Sequence, residues 1–248
     1  MNDARSRLIV ALDLPDRNAV LAAVDCLSGH VGCFKVGLEA FVRDGPRLVE
    51  ELRNRGEKVF LDLKLHDIPN TVAGAVRSAC ALDVQMLTLH ASGGREMLEA
   101  ARNAAQAFPA PPLLLAVTTL TSLSQEAVRA IGMAVPIAEW VERLAVLASQ
   151  AGIAGLVASP LELPRLRDRF GEDMSIVVPG IRPEGAATRD QSRTARPAQA
   201  ILAGADFLVV GRPILFSPDP VQASDLIVME IENSLRKRAA ITDNLPEA

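Results

Sequence analysis

The run Asp62-Leu63-Lys64-Leu65-His66-Asp67-Ile68-Pro69-Asn70-Thr71 sets two carboxylates and one amine close together. Upstream, Lys58-Val59-Phe60-Leu61 is apolar and β-prone and reads as a buried strand. Downstream, Val72, Val76 and Cys80 recur at helical spacing, and Pro69 suits a first helical turn, where its missing N–H costs nothing. The run therefore sits where a strand ends and a helix begins. Side chains alternate across a strand, so Asp62 and Lys64 point the same way, with Asp67 following in the loop. Read this way, two carboxylates bracket one ammonium. Nearby opposite charges keep a lysine protonated. That suits it to donate a proton or anchor an anion, not to act as a Schiff-base nucleophile, which needs a neutral amine. The same charges would also serve as a structural ion pair at a strand end. The run alone leaves both readings open.

The elements that position it repeat one pattern. Short apolar runs at Leu8–Leu12, Cys33–Gly37, Lys58–Leu61, Gln85–His90, Leu113–Val117, Ile153–Val157, Ser175–Pro179 and Asp206–Val210 alternate with segments of helical periodicity. A short helix from Ser124 and longer ones over Ile137–Ala148, Leu161–Phe170 and Ile227–Leu235 are expected. Strands buried on both faces and joined by helices make a parallel sheet. Eight such units predict a closed (β/α)8 TIM barrel, α/β in class, as a single catalytic domain over residues 1–238 with a frayed tail at 239–248. The alternative, an open doubly wound sheet, lacks a GxGxxG after the first strand.

In a barrel of this kind chemistry gathers at the C-terminal strand ends. Asp13, Lys35, the Asp62/Lys64/Asp67 group, His90, Thr121, Gly180, Arg182, Gly211 and Arg212 stand there. Charges on the second and third strands are costly to bury unless they face that mouth. His90 reads as a histidine satisfied by a neighbour, and the cysteines as core filler. The loops after the seventh and eighth strands supply glycines for close approach and arginines for bidentate phosphate pairing. The polar segment Gly180–Arg196, with Arg182, Arg189, Arg193 and Arg196, suits a lid over an anion or, alternatively, a solvated basic loop. No metal constellation and no Ser-His-Asp arrangement is apparent.

Composition sets outer bounds. The net charge of −4 and pI near 5.5 argue against a general nucleic-acid binder, as does the absence of Tyr and the single Trp140. Cys26, Cys33 and Cys80 have neither metal spacing nor an even count, so a reducing, cytoplasmic setting is expected. The N-terminus carries no apolar signal region, and no run is long enough to cross a membrane.

Five stretches together resemble one family. Val10-Ala11-Leu12-Asp13, Phe34-Lys35-Val36-Gly37, the run from Asp62 to Thr71, Pro179-Gly180-Ile181-Arg182 and Val210-Gly211-Arg212-Pro213-Ile214 are similar to the short bacterial orotidine 5′-phosphate decarboxylases. The likeness extends from Leu8 to Leu235, and the third-strand run is its specific part. It implies conversion of orotidine 5′-phosphate to uridine 5′-phosphate and carbon dioxide in pyrimidine biosynthesis, without cofactor or metal, by a homodimer with shared sites. Carried over, Asp13 and Lys35 bind ribose hydroxyls, and Lys35 joins the charged chain. Asp62 lies by the substrate carboxylate and Lys64 protonates C6. Asp67 reaches the site of the other subunit, Thr71 touches the ribose there, and Ile68 binds substrate. Thr121 bonds the pyrimidine edge. Arg182, Gln191, Gly211 and Arg212 hold the phosphate, and Gln191 also reaches the base. A decarboxylase of 3-keto-gulonate 6-phosphate has a similar run but needs magnesium and a carboxylate where Lys35 stands. A non-catalytic phosphosugar-binding barrel would not need Asp62, Lys64 and Asp67 together.

Overall fold

Residues 3–183 and 194–242 are described by a computed structural model, 241 and 242 by backbone alone. The strands are β1 (Leu8–Ala11), β2 (Cys33–Gly37), β3 (Val59–Leu65), β4 (Met86–His90), β5 (Leu113–Val117), β6 (Gly155–Val157), β7 (Ser175–Val178) and β8 (Phe207–Val210). All pair in parallel in chain order, and β8 closes on β1. The fold is a (β/α)8 barrel. Period-two alternation divides each strand between two cores. Ile9, Ala11, Cys33, Phe60, Met86, Leu115, Val177 and Val209 fill the barrel. Leu8, Val10, Phe34, Val36, Leu61, Leu87 and Leu89 face outward.

The helices that cover them are α1 (Arg17–Leu27), α2 (Leu38–Asp44), α3 (Pro46–Asn54), α4 (Pro69–Cys80), α5 (Arg95–Gln106), α6 (Gln125–Ala130), α7 (Ile137–Gln150), α8 (Leu163–Phe170), α9 (Pro197–Leu202), α10 (Arg212–Leu215) and α11 (Pro220–Thr242). Local chemistry starts several of them. Asp16 and Ser124 accept from the backbone N–H groups of Ala19 and Ala127, capping α1 and α6. Pro69 opens α4, as its place in the sequence predicts.

Several boundaries depart from the sequence reading. β3 runs on through Asp62 and Lys64 to Leu65, so these two lie in the strand, and of the three charges only Asp67 follows it. β6 begins at Gly155 because the Ile153 N–H is taken by Ala148 O at the end of α7. α2 is additional; Gly45, at φ 65, and Pro46 separate it from α3. α11 runs to Thr242, past Ala239, where fraying was expected. Cys33 and Cys80 are buried as expected, but Cys26 is exposed on α1. Burial pushes the Cys33 thiol up to about 12, so it stays protonated inside the barrel.

An ion network ties the N-terminal end of the barrel. Arg167 donates to Gly204 O (2.8 and 2.6 Å), Gly171 O (2.7 Å), Met174 O (2.8 Å) and Asp206 Oδ2 (2.6 Å). Asp206 Oδ2 also accepts the Ile176 N–H at 2.7 Å, and Arg7 donates to Asp206 O at 3.1 Å. Gly204 has φ 108, and a Cβ there would lie 2.6 Å from Arg167 Cγ, so only glycine lets the arginine lie across it.

Candidate active site

At the opposite end, a cavity of about 420 Å³ opens among the C-terminal ends of the strands. Phe60, Val117, Val157, Val177 and Val209 form its apolar base. Asp13, Lys35, Asp62 and Lys64 line one side; Arg182, Gly211 and Arg212 line another; Thr121 and Phe216 are also in the wall.

Four charges form an alternating chain. Lys35 Nζ lies 3.3 Å from Asp13 Oδ1 and 3.5 Å from Asp62 Oδ2. Lys64 Nζ donates to both Asp62 oxygens, at 2.8 and 2.9 Å. Thr88, on β4, donates to Asp62 Oδ1 at 2.8 Å. Lys35 and Asp62 are each 8% exposed, whereas the Lys64 side chain keeps 29% of its surface. Gly37 gives the chain room: a Cβ there would sit 3.0 Å from Lys35 Nζ and 3.2 Å from Asp13 Oδ1. Burial alone would raise the Asp62 carboxyl. The charges of Lys35 and Lys64, with hydrogen bonds from Lys64 and Thr88, outweigh it and hold Asp62 below the ordinary carboxylate value.

This geometry corrects the sequence reading of the charged run. Lys64 is not bracketed by Asp62 and Asp67 within the chain. Asp62 is instead bracketed by Lys35 and Lys64. Asp67 lies past the strand end, exposed, where its Oδ1 accepts the Ile68 N–H at 2.7 Å; among the described residues it makes no ion pair. The reach of β2 toward β3 supplies the second ammonium, which spacing along one strand cannot show.

The structure therefore brings Asp13, Lys35, Asp62, Lys64, Thr121, Arg182, Gly211 and Arg212 to one cavity. Asp67, Ile68 and Thr71 do not line it; Ile68 is 67% exposed at the start of α4. Gln191, Arg189 and Arg193 lie outside the described residues, as does most of the expected lid. The ends of that segment are joined: Ile181 and Ala195 form a bridge, and the Arg182 N–H donates to Ala195 O at 2.9 Å. Arg182 Nη1 donates to Ile181 O at 2.9 Å.

His90 stands beside His66, ring centroids 5.3 Å apart, and does not line the cavity. Burial, then His66 and Lys64, lower its pKa, which favours a neutral imidazole. Sequence reasoning missed Thr88 and Phe216. Alternation puts Thr88 on the inward face of β4 with Met86 and His90, but that strand alone does not mark it as a partner of Asp62. Among the described residues no three His, Cys, Asp or Glu side chains converge as metal ligands would.

Comparison with known proteins agrees with this fold. The model of the Orotidine 5′-phosphate decarboxylase / HUMPS family matches residues 6–227. The orotidine 5′-phosphate decarboxylase of Syntrophotalea carbinolica is 50% identical over 240 residues, 95% of this chain and 98% of that one. The enzyme of the same name from Moorella thermoacetica is 49% identical over 235 residues, 92% of this chain and 93% of that one. The crystal structure of orotidine 5′-phosphate decarboxylase from Lactobacillus acidophilus superposes with a TM-score of 0.82 at 38% identity, covering 90% of this chain and 98% of that chain. With a family match across most of its length and relatives near half identity, the chain belongs to the Orotidine 5′-phosphate decarboxylase / HUMPS family.

Proposed function

We propose that the chain decarboxylates orotidine 5′-phosphate to uridine 5′-phosphate and carbon dioxide, a step of pyrimidine biosynthesis, in the cytoplasm and without cofactor or metal. The observation that carries the reading is the Lys64 ammonium, held by Asp62 at a cavity whose other side bears Arg182 and Arg212. Those arginines suit a phosphate, with Gly211 allowing close approach and Gln191 as a further ligand. Asp13 and Lys35 suit ribose hydroxyls, and Thr121 the pyrimidine edge.

The chemistry follows from where charge develops. The bond from C6 to the carboxylate breaks, and its electron pair stays on C6 in an orbital that the ring does not conjugate. A fixed ammonium beside C6 stabilises that anion and then gives it a proton. Lys64 takes this role and recovers its proton from solvent. Asp62 beside the substrate carboxylate is repulsive by about 4 kcal/mol at about 4 Å and an effective dielectric near 20, relieved as carbon dioxide leaves. Phosphate binding, remote from C6, holds the charged array in place.

A homodimer with shared sites accounts for Asp67, Ile68 and Thr71, which are exposed and outside their own cavity. Asp67→Ala then damages only the neighbour's site and Lys64→Ala only its own. Refolding the two inactive variants together makes half the dimers mixed, each with one intact site, and returns about a quarter of parental activity. Mixed dimers that stay inactive would assign Asp67 to its own subunit.

Lys35 stands where a magnesium-dependent sugar-phosphate decarboxylase needs a carboxylate, which disfavours that chemistry. The deciding experiment is an ultraviolet assay with orotidine 5′-phosphate, with and without chelator. Turnover unaffected by chelator is expected. No turnover would reject the reading and favour a phosphosugar-binding barrel; loss on chelation would reject metal independence.

A further inference from the structure

The pairing of β3 with β4 changes register at the charged site. Phe60 and Leu61 face Met86 and Leu87, yet Leu65 faces Leu89. An advance of four residues on β3 meets an advance of two on β4, so Asp62, Leu63 and Lys64 stand opposite Thr88 alone. Bulges of this kind interrupt the backbone ladder and re-aim side chains. Lys64 is in the left-handed region, at φ 51, which costs a residue with a Cβ.

Thr88 is fully buried, at 0% exposure. Its hydroxyl repairs the interrupted ladder in two directions. Oγ1 accepts the Lys64 N–H at 2.9 Å and donates to Asp62 Oδ1 at 2.8 Å. One side chain thus fixes both the strained backbone that carries the ammonium and the carboxylate that the ammonium pairs with. Val at this place would fill the same space and leave the Lys64 N–H without its acceptor.

We propose that Thr88 is a positioning residue, whose hydroxyl locks the β3 bulge so that the Lys64 ammonium stays aimed at the cavity. The proposal rests on Lys64 and Asp62 being the reacting groups. Lys35 from β2, Lys64 from β3 and Thr88 from β4 contact Asp62, Asp13 reaches it through Lys35, and His90, whose ring lies beside His66, feels its charge.

The test compares Thr88→Val, which removes the hydroxyl at constant shape, with Thr88→Ser, which keeps it. Thr88→Val is expected to lower kcat about 10- to 100-fold, because a bond to a charged group and the acceptor of a buried N–H are lost together. KM stays within about threefold, and Thr88→Ser stays within about threefold of the parent in kcat. In parallel, an NMR titration of ¹³C-labelled aspartate moves the Asp62 carboxyl upward in Thr88→Val and leaves it unmoved in Thr88→Ser. A Thr88→Val kcat within about threefold of the parent, or a serine variant as slow as the valine one, overturns the proposal. If Thr88→Val does not fold, Thr88→Ala takes its place with the same criteria. A parent without decarboxylase activity rejects the assigned reaction and not the positioning, which the Asp62 titration then decides: an unmoved carboxyl in folded Thr88→Val rejects it.

Discussion

The two ends of the barrel hold the same ingredients and use them differently. At the N-terminal end, Arg167 and Asp206 are mostly buried, and every donor nitrogen of the arginine is engaged, three backbone carbonyls taking most of its capacity. At the C-terminal end, the Lys64 ammonium bonds Asp62 and, among the described residues, no backbone carbonyl. It faces a cavity instead of a wall. An ammonium has three donors, so Lys64 keeps capacity for a ligand while Arg167 keeps none. Saturation by backbone makes an ion network structural. A network left open toward a cavity is available for chemistry.

The sharpest way to break this contrast is Lys64→Ala. On the proposed mechanism this removes the proton donor that also stabilises the developing anion, which should lower kcat at least about 10³-fold. Asp62 retains Lys35, so circular dichroism should show an unchanged fold. Activity within about tenfold of the parent would remove Lys64 from the chemistry.

Arg167→Ala is the counterpart at the other end. It leaves the Gly171, Met174 and Gly204 carbonyls without this donor and Asp206 with only Arg7, 3.6 Å away, and the Ile176 N–H, and losing the mostly buried pair together with those bonds should destabilise the fold by about 3–5 kcal/mol. Urea unfolding measures it. The folded fraction should turn over at the parental kcat. A stability loss below about 0.5 kcal/mol would mean that the network at this end does not hold the barrel together.

Within the mouth, Arg212→Ala separates phosphate recognition from the rest of the site. A bidentate charged contact is worth about 1.5–3 kcal/mol, so uridine 5′-phosphate should bind roughly 10- to 150-fold more weakly while uridine is little affected. Calorimetry distinguishes the two. Equal losses would show that Arg212 does not read phosphate.

The sequence reveals the barrel because each strand is a short apolar run bounded by breaks, and eight of them in parallel have few ways to close. It reveals Asp13, Lys35, Asp62, Lys64, Arg182 and Arg212 because charges at strand ends need a mouth to face. What it hides belongs to pairs of strands. The bracketing of Asp62 by two ammonium groups needs β2 beside β3. The bulge that turns Lys64 to φ 51 is a mismatch of register with β4, written in neither strand alone. Thr88 reads as one more inward residue until that mismatch is known. Asp67 misleads for the same reason: three residues of spacing suggest a pair, and the chain turns away before one forms. The short α10 has too few residues for periodicity to register.

The smallest expected effect concerns acid, and it tests whether Asp62 is the bond that joins the mouth network. Lys35 and Lys64 hold its carboxyl below the ordinary value of 3.8 against the opposing pull of burial. A folded pKa below the unfolded one means that, as pH falls, the unfolded chain takes up this proton first. Asp62 therefore contributes stability that is complete above the unfolded value and is lost as pH falls from there through the folded value. Asp62→Asn cannot take part. At neutral pH it leaves Lys35 and Lys64 without their shared counter-charge, so the parent should be the more stable. That advantage should shrink through the window below about pH 4, with a slope of at most one proton, about 1.4 kcal/mol per pH unit. Urea unfolding of both proteins at steps from neutral into acid reads the difference directly. A difference that stays constant through the window would mean that the two ammonium groups do not act on the Asp62 charge, and the mouth would then be held as the opposite end is, by hydrogen bonds that do not titrate.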